Sequence, residues 1–459
     1  MKRTRRSTSN VSDHSDVPSK AAKLGESKAT VSDPASASCS NDDVQDKQVC
    51  FIDRLPDHLV VRIFQELELL KDIATLLPQV CKRWQLLASH ENLWKDVHLS
   101  YESHMSESQK KMFFKCLQMA PKLSSITFEL EYRDGPDFAQ RIIKKCPSEV
   151  MALHFIYDNL PPAALFCLLK KYKNCLEKLM ITDTYTPYVD EDVKRIWKEI
   201  LNLTKLKHLV VDGAALFYHK ATFRRAAPCW KTWQILDVKD CSYENMNTVQ
   251  KLISVHPNWI EVYLSTTTSS IFRGEVKALS KCTSLETIQV PFCKEFKLLE
   301  KCERLDSIIV DCVDETSSEV SNVLPVLAQN NVFPLLKTVK IIGGGSLYAP
   351  LLMALVKGRP KISLLNLVSC DIKSEELLDV LENTPSLKTL YFHEMSAQCV
   401  SAVANGASNN VLSNLEKLSL FECYCDEGSK LCVKVLAKEL EQHQKIKVTI
   451  ESIVCSCKP

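Results

Sequence analysis

Three sets of residues in this sequence have types that could do chemistry. The first is sulfur: Cys423 and Cys425 stand in C-Y-C, and Cys455 and Cys457 in C-S-C. Zinc sites of the common kind take C-x-x-C pairs joined by further cysteines or histidines. Neither pair has that spacing, and the 11 histidines show no H-E-x-x-H or other paired arrangement. The thiols therefore read as structural, and no metal is expected. The second set is the run Gly343–Gly345 in I-I-G-G-G-S-L-Y. A phosphate-cradling loop needs a Lys-Ser/Thr pair behind its glycines. None follows, so these glycines read as a tight turn from strand to helix. The third set is the ending C-S-C-K-P, where Ser456 rather than a cysteine stands fourth from the last residue, against prenylation. No catalytic residue and no cofactor is expected. Such a chain is expected to work by binding.

The bulk numbers agree. The chain has 459 residues, 45% hydrophobic and 25% charged, with a net charge of +2. A general nucleic-acid binder rests on an uncompensated basic surface, so nucleic acid is an unlikely partner. The N-terminus lacks a signal peptide's apolar core of about 7–15 residues. No run reaches the roughly 18 apolar residues of a membrane span. With neither signal, cytoplasm and/or nucleus is the expected location, and the 20 cysteines are expected to be reduced.

What must position any binding surface is a repeat. From about residue 121 onward the pattern L-x-x-L-x-L recurs twelve times, from Leu123 to Leu415, with a frayed copy from Lys445. The spacing is mostly 25 to 31 residues, near that of leucine-rich repeats. Between copies lie amphipathic segments such as S-E-E-L-L-D-V-L-E from Ser374, read as a helix capped by that serine with Leu377, Leu378 and Leu381 inward. One short strand plus one helix cannot bury its apolar side alone, so the units must stack. The expected fold class is α/β: parallel strands on a concave face, helices on the convex face, about 12–13 repeats over 101–459. A cysteine follows the strand by three places at Cys241, Cys293, Cys370 and Cys423, with Cys312 one place early. A small, weakly donating side chain suits that turn.

Residues alternating with the strand leucines would face the concave side. The end bearing Tyr391, His393 and Phe421 is richest in aromatics, the type enriched at binding hot spots, and is a candidate substrate surface. A second candidate is the insertion from Gly213 to Trp230, which carries Phe217, Arg224 and Arg225. Its aromatics could grip a partner or cover the core, and both readings stand.

Ahead of the repeats, residues 1–49 are rich in Ser, Asp, Lys and Ala. Such a tail buries too little to offset its chain entropy and is expected to be disordered. Its start, M-K-R-T-R-R, is of the kind import receptors read and weakly favours the nucleus. Residues 50–100 are a compact helical unit. Leu55, Leu59, Ile63 and Leu67 form one row four residues apart, with Val60 and Phe64 as a second row beside it. A unit this small and apolar on this many sides needs something to bury itself against.

The stretch from Leu55 to Val97 resembles the F-box. The family's L-P opening is Leu55-Pro56 and its I-F pair is Ile63-Phe64. Its V-C-K/R-x-W run is Val80 to Trp84, and its closing L-W is Leu93-Trp94. His58 departs from the acidic residue common there. An F-box ahead of leucine-rich repeats resembles the substrate receptor of an SCF-type (cullin-RING) ubiquitin ligase. The resemblance implies docking on a Skp-type adaptor, and through it a cullin and a RING protein, while the repeats hold an unknown protein substrate. Docking would use Leu55, Pro56, Leu59, Ile63, Phe64 and Leu67, with Val80, Trp84 and Trp94 beside them. The alternative for Trp84, Leu87 and Trp94 is that they hold the helices together and onto the first repeat. A second functional reading is a non-degradative scaffold tethered to the adaptor.

Overall fold

The computed structural model describes most of the chain from Phe51 to Val454; residues 1–50 and several inter-element segments, among them 130–141, 183–189, 213–231 and 313–321, lie outside the described residues. The chain separates into two compact units, Met1–Arg54 and Leu55–Pro459. Of the first, only the 3-10 turn Phe51–Arg54 is described.

Among the described residues of the second unit, fourteen strands form one sheet in which each pairs with the next in sequence order, from His98–Glu102 to Lys447–Ile450. The pairing is parallel between neighbours, as with Thr338–Ile342 on Leu364–Val368. Parallel neighbours require a crossover, and a helix supplies it. The L-x-x-L-x-L pattern fixes the register. In Thr338–Ile342, Val339 and Ile341 are fully buried while Thr338, Lys340 and Ile342 are half-buried on the opposite face. The first apolar residue of most copies, such as Leu336, packs into the core just before the strand begins, while Leu123 and Val150 lie within their strands. The sheet has a strand that the twelve copies and the frayed one do not include. It is His98–Glu102, where Leu99 and Tyr101 are buried but no full repeat pattern is written.

The helices cover one face of the sheet. Ser374–Glu382 buries Leu377, Val380 and Leu381. Its N-cap is Lys373 rather than Ser374, because Glu376 reaches back to accept from the Lys373 N–H at 3.1 Å. Ser374 Oγ donates instead to the Gln398 carbonyl in the next repeat, at 3.2 Å. Leu378 is only half-buried, and Val380 takes the inward place expected of it.

Three features tie neighbouring units together. Gly343 sits at φ 95°, and a Cβ there would meet the Cys312 carbonyl oxygen at 2.7 Å, so the turn needs glycine. Three of the cysteines after the strands, Cys293, Cys370 and Cys423, are buried, and Cys370 contacts the Tyr348 hydroxyl; Cys312 is half-buried, and Cys241 lies outside the described residues. Arg359 is 3% exposed and has carbonyls around it. It donates to Val332 at 2.9 Å, Ala354 at 2.7 Å and Leu355 at 2.8 Å, and also to Leu327. The guanidinium thus satisfies the ends of helices Leu324–Leu327 and Tyr348–Val356 at once. Burial pushes its pKa down to about 10, still charged at neutral pH.

One repeat is short. Strands Thr287–Pro291 and Ser307–Asp311 start 20 residues apart, whereas the flanking starts, Glu261 to Thr287 and Ser307 to Thr338, are 26 and 31 apart. The short connection has room for a 3-10 segment, Lys294–Lys301, in place of an α-helix.

Ahead of the sheet stands the helical unit: Asp57–Gln65, a π-helical segment Leu69–Leu76 running into Leu77–Val80, then Lys82–Leu87 and Glu91–Trp94. It leads directly into the first strand, and Ser124 donates its N–H to the Val97 carbonyl at 3.1 Å.

Candidate functional site

The two rows of the first helix part company in space. Pro56 at φ −58° precedes Asp57–Gln65 and opens it. Val60 and Phe64 are 0% and 1% exposed, closed in by the chain itself. Phe64 meets the Trp84 ring edge-on at 5.1 Å between centroids. The other row turns outward: Leu55 and Leu59 are half-buried, Ile63 is 42% and Leu67 36% exposed. Val80, at 57%, continues that exposure on the next helix, together with Leu76 and Leu86, which sequence spacing did not single out. Of the ten large apolar side chains that stay exposed among the described residues, five lie between Ile63 and Leu86. Fully covering one such side chain is worth roughly 1.5–3 kcal/mol.

Two of the nine expected docking residues are therefore placed differently. Phe64 is core, not surface, because the helix turns its Val60–Phe64 row toward Trp84. Trp94 is fully buried, and its Nε1 donates to the Ala88 carbonyl at 2.8 Å. Trp84 is half-buried between these roles. Arg83, from the same V-C-K/R-x-W run, closes the unit. It pairs with Asp57 at 2.7 Å and donates to the Leu55 carbonyl, so it fixes the backbone on which the outward row starts. Cys81 caps its helix by accepting from the Trp84 N–H at 3.4 Å.

The second candidate surface is on the open face of the sheet near its C-terminal end. Thr389–His393 pairs with Lys417–Phe421 so that Tyr391 lies opposite Ser419 and His393 opposite Phe421. The His393 and Phe421 rings meet edge-on at 4.5 Å. Lys417 Nζ stands 5.1 Å over the Tyr391 ring and donates to its hydroxyl at 3.4 Å. All three expected residues are half-buried on adjoining strands. Phe217, Arg224 and Arg225 lie outside the described residues.

Two glutamates next to this patch were not singled out by the sequence. Glu394 and Glu422 each follow a strand and adopt φ 54° and 50°, a region non-glycine residues seldom enter. Ser369, at φ 53°, and Gly343 hold the equivalent place in the two preceding repeats. His393 Nε2 lies 3.4 Å from a Glu422 oxygen and 3.8 Å from a Glu394 oxygen. Ligand atoms of these three lie within 4.8 Å of one another, the one such group among the described residues. Ser369 Oγ donates to Glu394. Further along the same face, Asp311 accepts from Gln289 Nε2 at 3.2 Å, and burial pushes its carboxyl up.

The buried thiols are poor nucleophiles. Burial pushes Cys282, Cys302 and Cys312 up to about 12 and Cys116 up to about 11. At neutral pH they stay protonated, since a thiolate would be stranded without water.

Comparison with known proteins identifies one of these regions. Residues 52–100 match the F-box-like family model. The chain thus carries an F-box-like domain ahead of a leucine-rich-repeat sheet, and both are modules that typically serve interaction rather than catalysis. Among solved structures, similarity extends to the yeast Rad7 and Elc1 complex at 13% identity and TM-score 0.46, covering 85% of this chain and 92% of that one. The leucine-rich repeat-containing protein LegL7 of Legionella pneumophila is similar at 12% identity and TM-score 0.36, covering 62% and 88%. The TLR13–ssRNA13 complex is similar at 12% identity and TM-score 0.33, covering 75% of this chain, which spans 41% of that one. No curated protein matches the sequence at a significant level. Among the described residues, no helix is long and apolar enough to cross a membrane.

Proposed function

We propose that this protein is the substrate-recognition subunit of an SCF-type ubiquitin ligase in the cytoplasm and/or nucleus. Its F-box docks on a Skp-type adaptor, and the open face of its sheet holds a target protein for ubiquitination. The observation that carries the reading is the outward apolar row of the F-box-like unit. Ile63, Leu67, Leu76, Val80 and Leu86 stay exposed although a fully folded core lies beneath them. Monomers seldom leave such a concentration uncovered, and a partner chain that supplies an apolar groove removes it from water. A stable interface of this kind buries about 1,200–2,000 Å² in total. Ubiquitin transfer itself belongs to partner subunits, and this chain contributes recognition and positioning.

The target surface is the patch of Tyr391, His393 and Phe421, rimmed by Glu394, Glu422 and Lys417. Aromatic anchors with charged neighbours are what binding hot spots are made of. The test is reconstitution of the full chain with adaptor, cullin and RING protein. Assembly of all four supports the ligase reading. Recovery of the adaptor without the cullin contradicts it and leaves the protein a tethered scaffold. Affinity capture with and without proteasome inhibition then identifies targets as proteins that accumulate and that the Tyr391→Ala/Phe421→Ala chain no longer retains.

A further inference from the structure

The short repeat leaves a gap in the helix layer, on the side of the sheet away from the Tyr391 patch. Helix Arg273–Leu279 lies on one side of the 3-10 segment Lys294–Lys301, and the turn leading into helix Leu324–Leu327 lies on the other. Where a full helix would fill the space, a groove of about 460 Å³ opens across three successive repeats. Its wall is cationic: Lys277 from the first element, Lys294 and Lys297 from the second. Asn322 adds an amide donor from the third, and Leu298 and Val323 form an apolar floor. The one carboxylate in the lining, Glu295, faces Arg273 Nε at 3.9 Å, so its charge is offset from outside the groove. Lys277 and Lys297 are exposed and have no carboxylate partner among the described residues.

We propose that this groove binds a small molecule carrying two or more phosphate groups. The Lys277 and Lys297 ammonium groups on one concavity raise the local concentration of a multiply charged anion, and the walls focus that field. Charge-assisted hydrogen bonds from lysine to phosphate oxygen are among the stronger polar contacts available. The volume lies in the range of about 300–1,000 Å³ that small-molecule sites occupy, more than one phosphate fills. The apolar floor gives the non-phosphate body a place to rest. Between two full helices, Pro162–Lys171 and Asp190–Ile200, the groove is smaller, about 140 Å³.

The experiment uses the full chain purified with its adaptor, titrated with sodium tripolyphosphate by calorimetry and thermal shift. Sodium sulfate at equal ionic strength serves as the reference. Saturable binding of tripolyphosphate over sulfate is expected. Lys277→Gln/Lys297→Gln should weaken it about tenfold or more without changing the melting temperature of the unliganded protein. Lys434→Gln, on an exposed helix elsewhere, should leave it unchanged. ATP compared with adenosine then separates recognition of the phosphates from recognition of the body. The proposal is overturned if no saturable binding occurs up to about 1 mM. Equal loss in the Lys434 variant, or binding indifferent to the double substitution, overturns it too.

Discussion

The F-box-like unit and the sheet solve the same problem in opposite ways. Both begin from apolar residues placed at a strict period. In the sheet the period is two, so each inward Leu, Val or Ile alternates with a residue on the open face. That face carries Lys340, Asn366, Tyr391 and Lys417 together with aliphatic residues such as Ile309 and Ile342, all half-buried. In the helix Asp57–Gln65 two apolar rows lie side by side, and the described residues cover only one. Val60 and Phe64 go in, and Ile63 stays out. A solenoid repeat is completed by its neighbours in the same chain, whereas none of the described residues covers the outward row of the F-box-like unit. The first region is thus apolar where a partner is proposed to dock, and the second mixes polar and aromatic residues with aliphatic ones such as Ile309, Ile342 and Val368.

Substitutions in the two rows sharpen that contrast. Phe64→Ala removes a core side chain against Trp84 and should cost about 3–5 kcal/mol, read by chemical denaturation of the helical unit. Arg359→Met leaves carbonyls of two repeats without a donor and should cost about 3 kcal/mol, seen as a lower denaturation midpoint of the solenoid. Glu275 is 2% exposed with one carboxylate oxygen lacking a hydrogen-bond partner. Burial raises its pKa from 4.5 to about 7. Its folded form holds the proton more tightly than its unfolded form, so the stability tied to that proton is present below pH 4.5 and lost as pH rises through about 7. Glu275→Gln should flatten that decline and raise the melting temperature at pH 8, with little change near pH 4.5. The smallest effect on stability belongs to the open face: Tyr391→Ala with Phe421→Ala should leave unfolding within about 0.5–1 kcal/mol of the parent, while retention of captured targets falls.

Much of this was legible in the sequence, and what was not has physical causes. The repeat strands from Lys122 onward follow from spacing and the F-box landmarks from the family resemblance, whereas strand His98–Glu102 and the inward place of Val380 do not. Spacing shows two rows on a helix but not which one turns outward, because tertiary packing against Trp84 decides that. The same limit applies to Leu86 and Leu87, adjacent leucines of which one is exposed and the other buried. Ser374 is a good capping residue, yet Glu376 moves the cap to Lys373. The His393, Glu394 and Glu422 group joins two repeats, so no linear motif contains it. The groove beside Lys277 is written in the sequence as a repeat 20 residues long, and it becomes a cavity only when neighbours of ordinary length stack on either side.

The central claim is that the outward row of the F-box-like unit is a docking face and the inward row is its core. Binding of the purified Skp-type adaptor to the Ile63→Asp/Val80→Asp chain, measured by calorimetry beside the melting temperature of each protein, tests it most directly. The account predicts loss of adaptor binding with an unchanged melting temperature. Undiminished affinity in that double variant would contradict it.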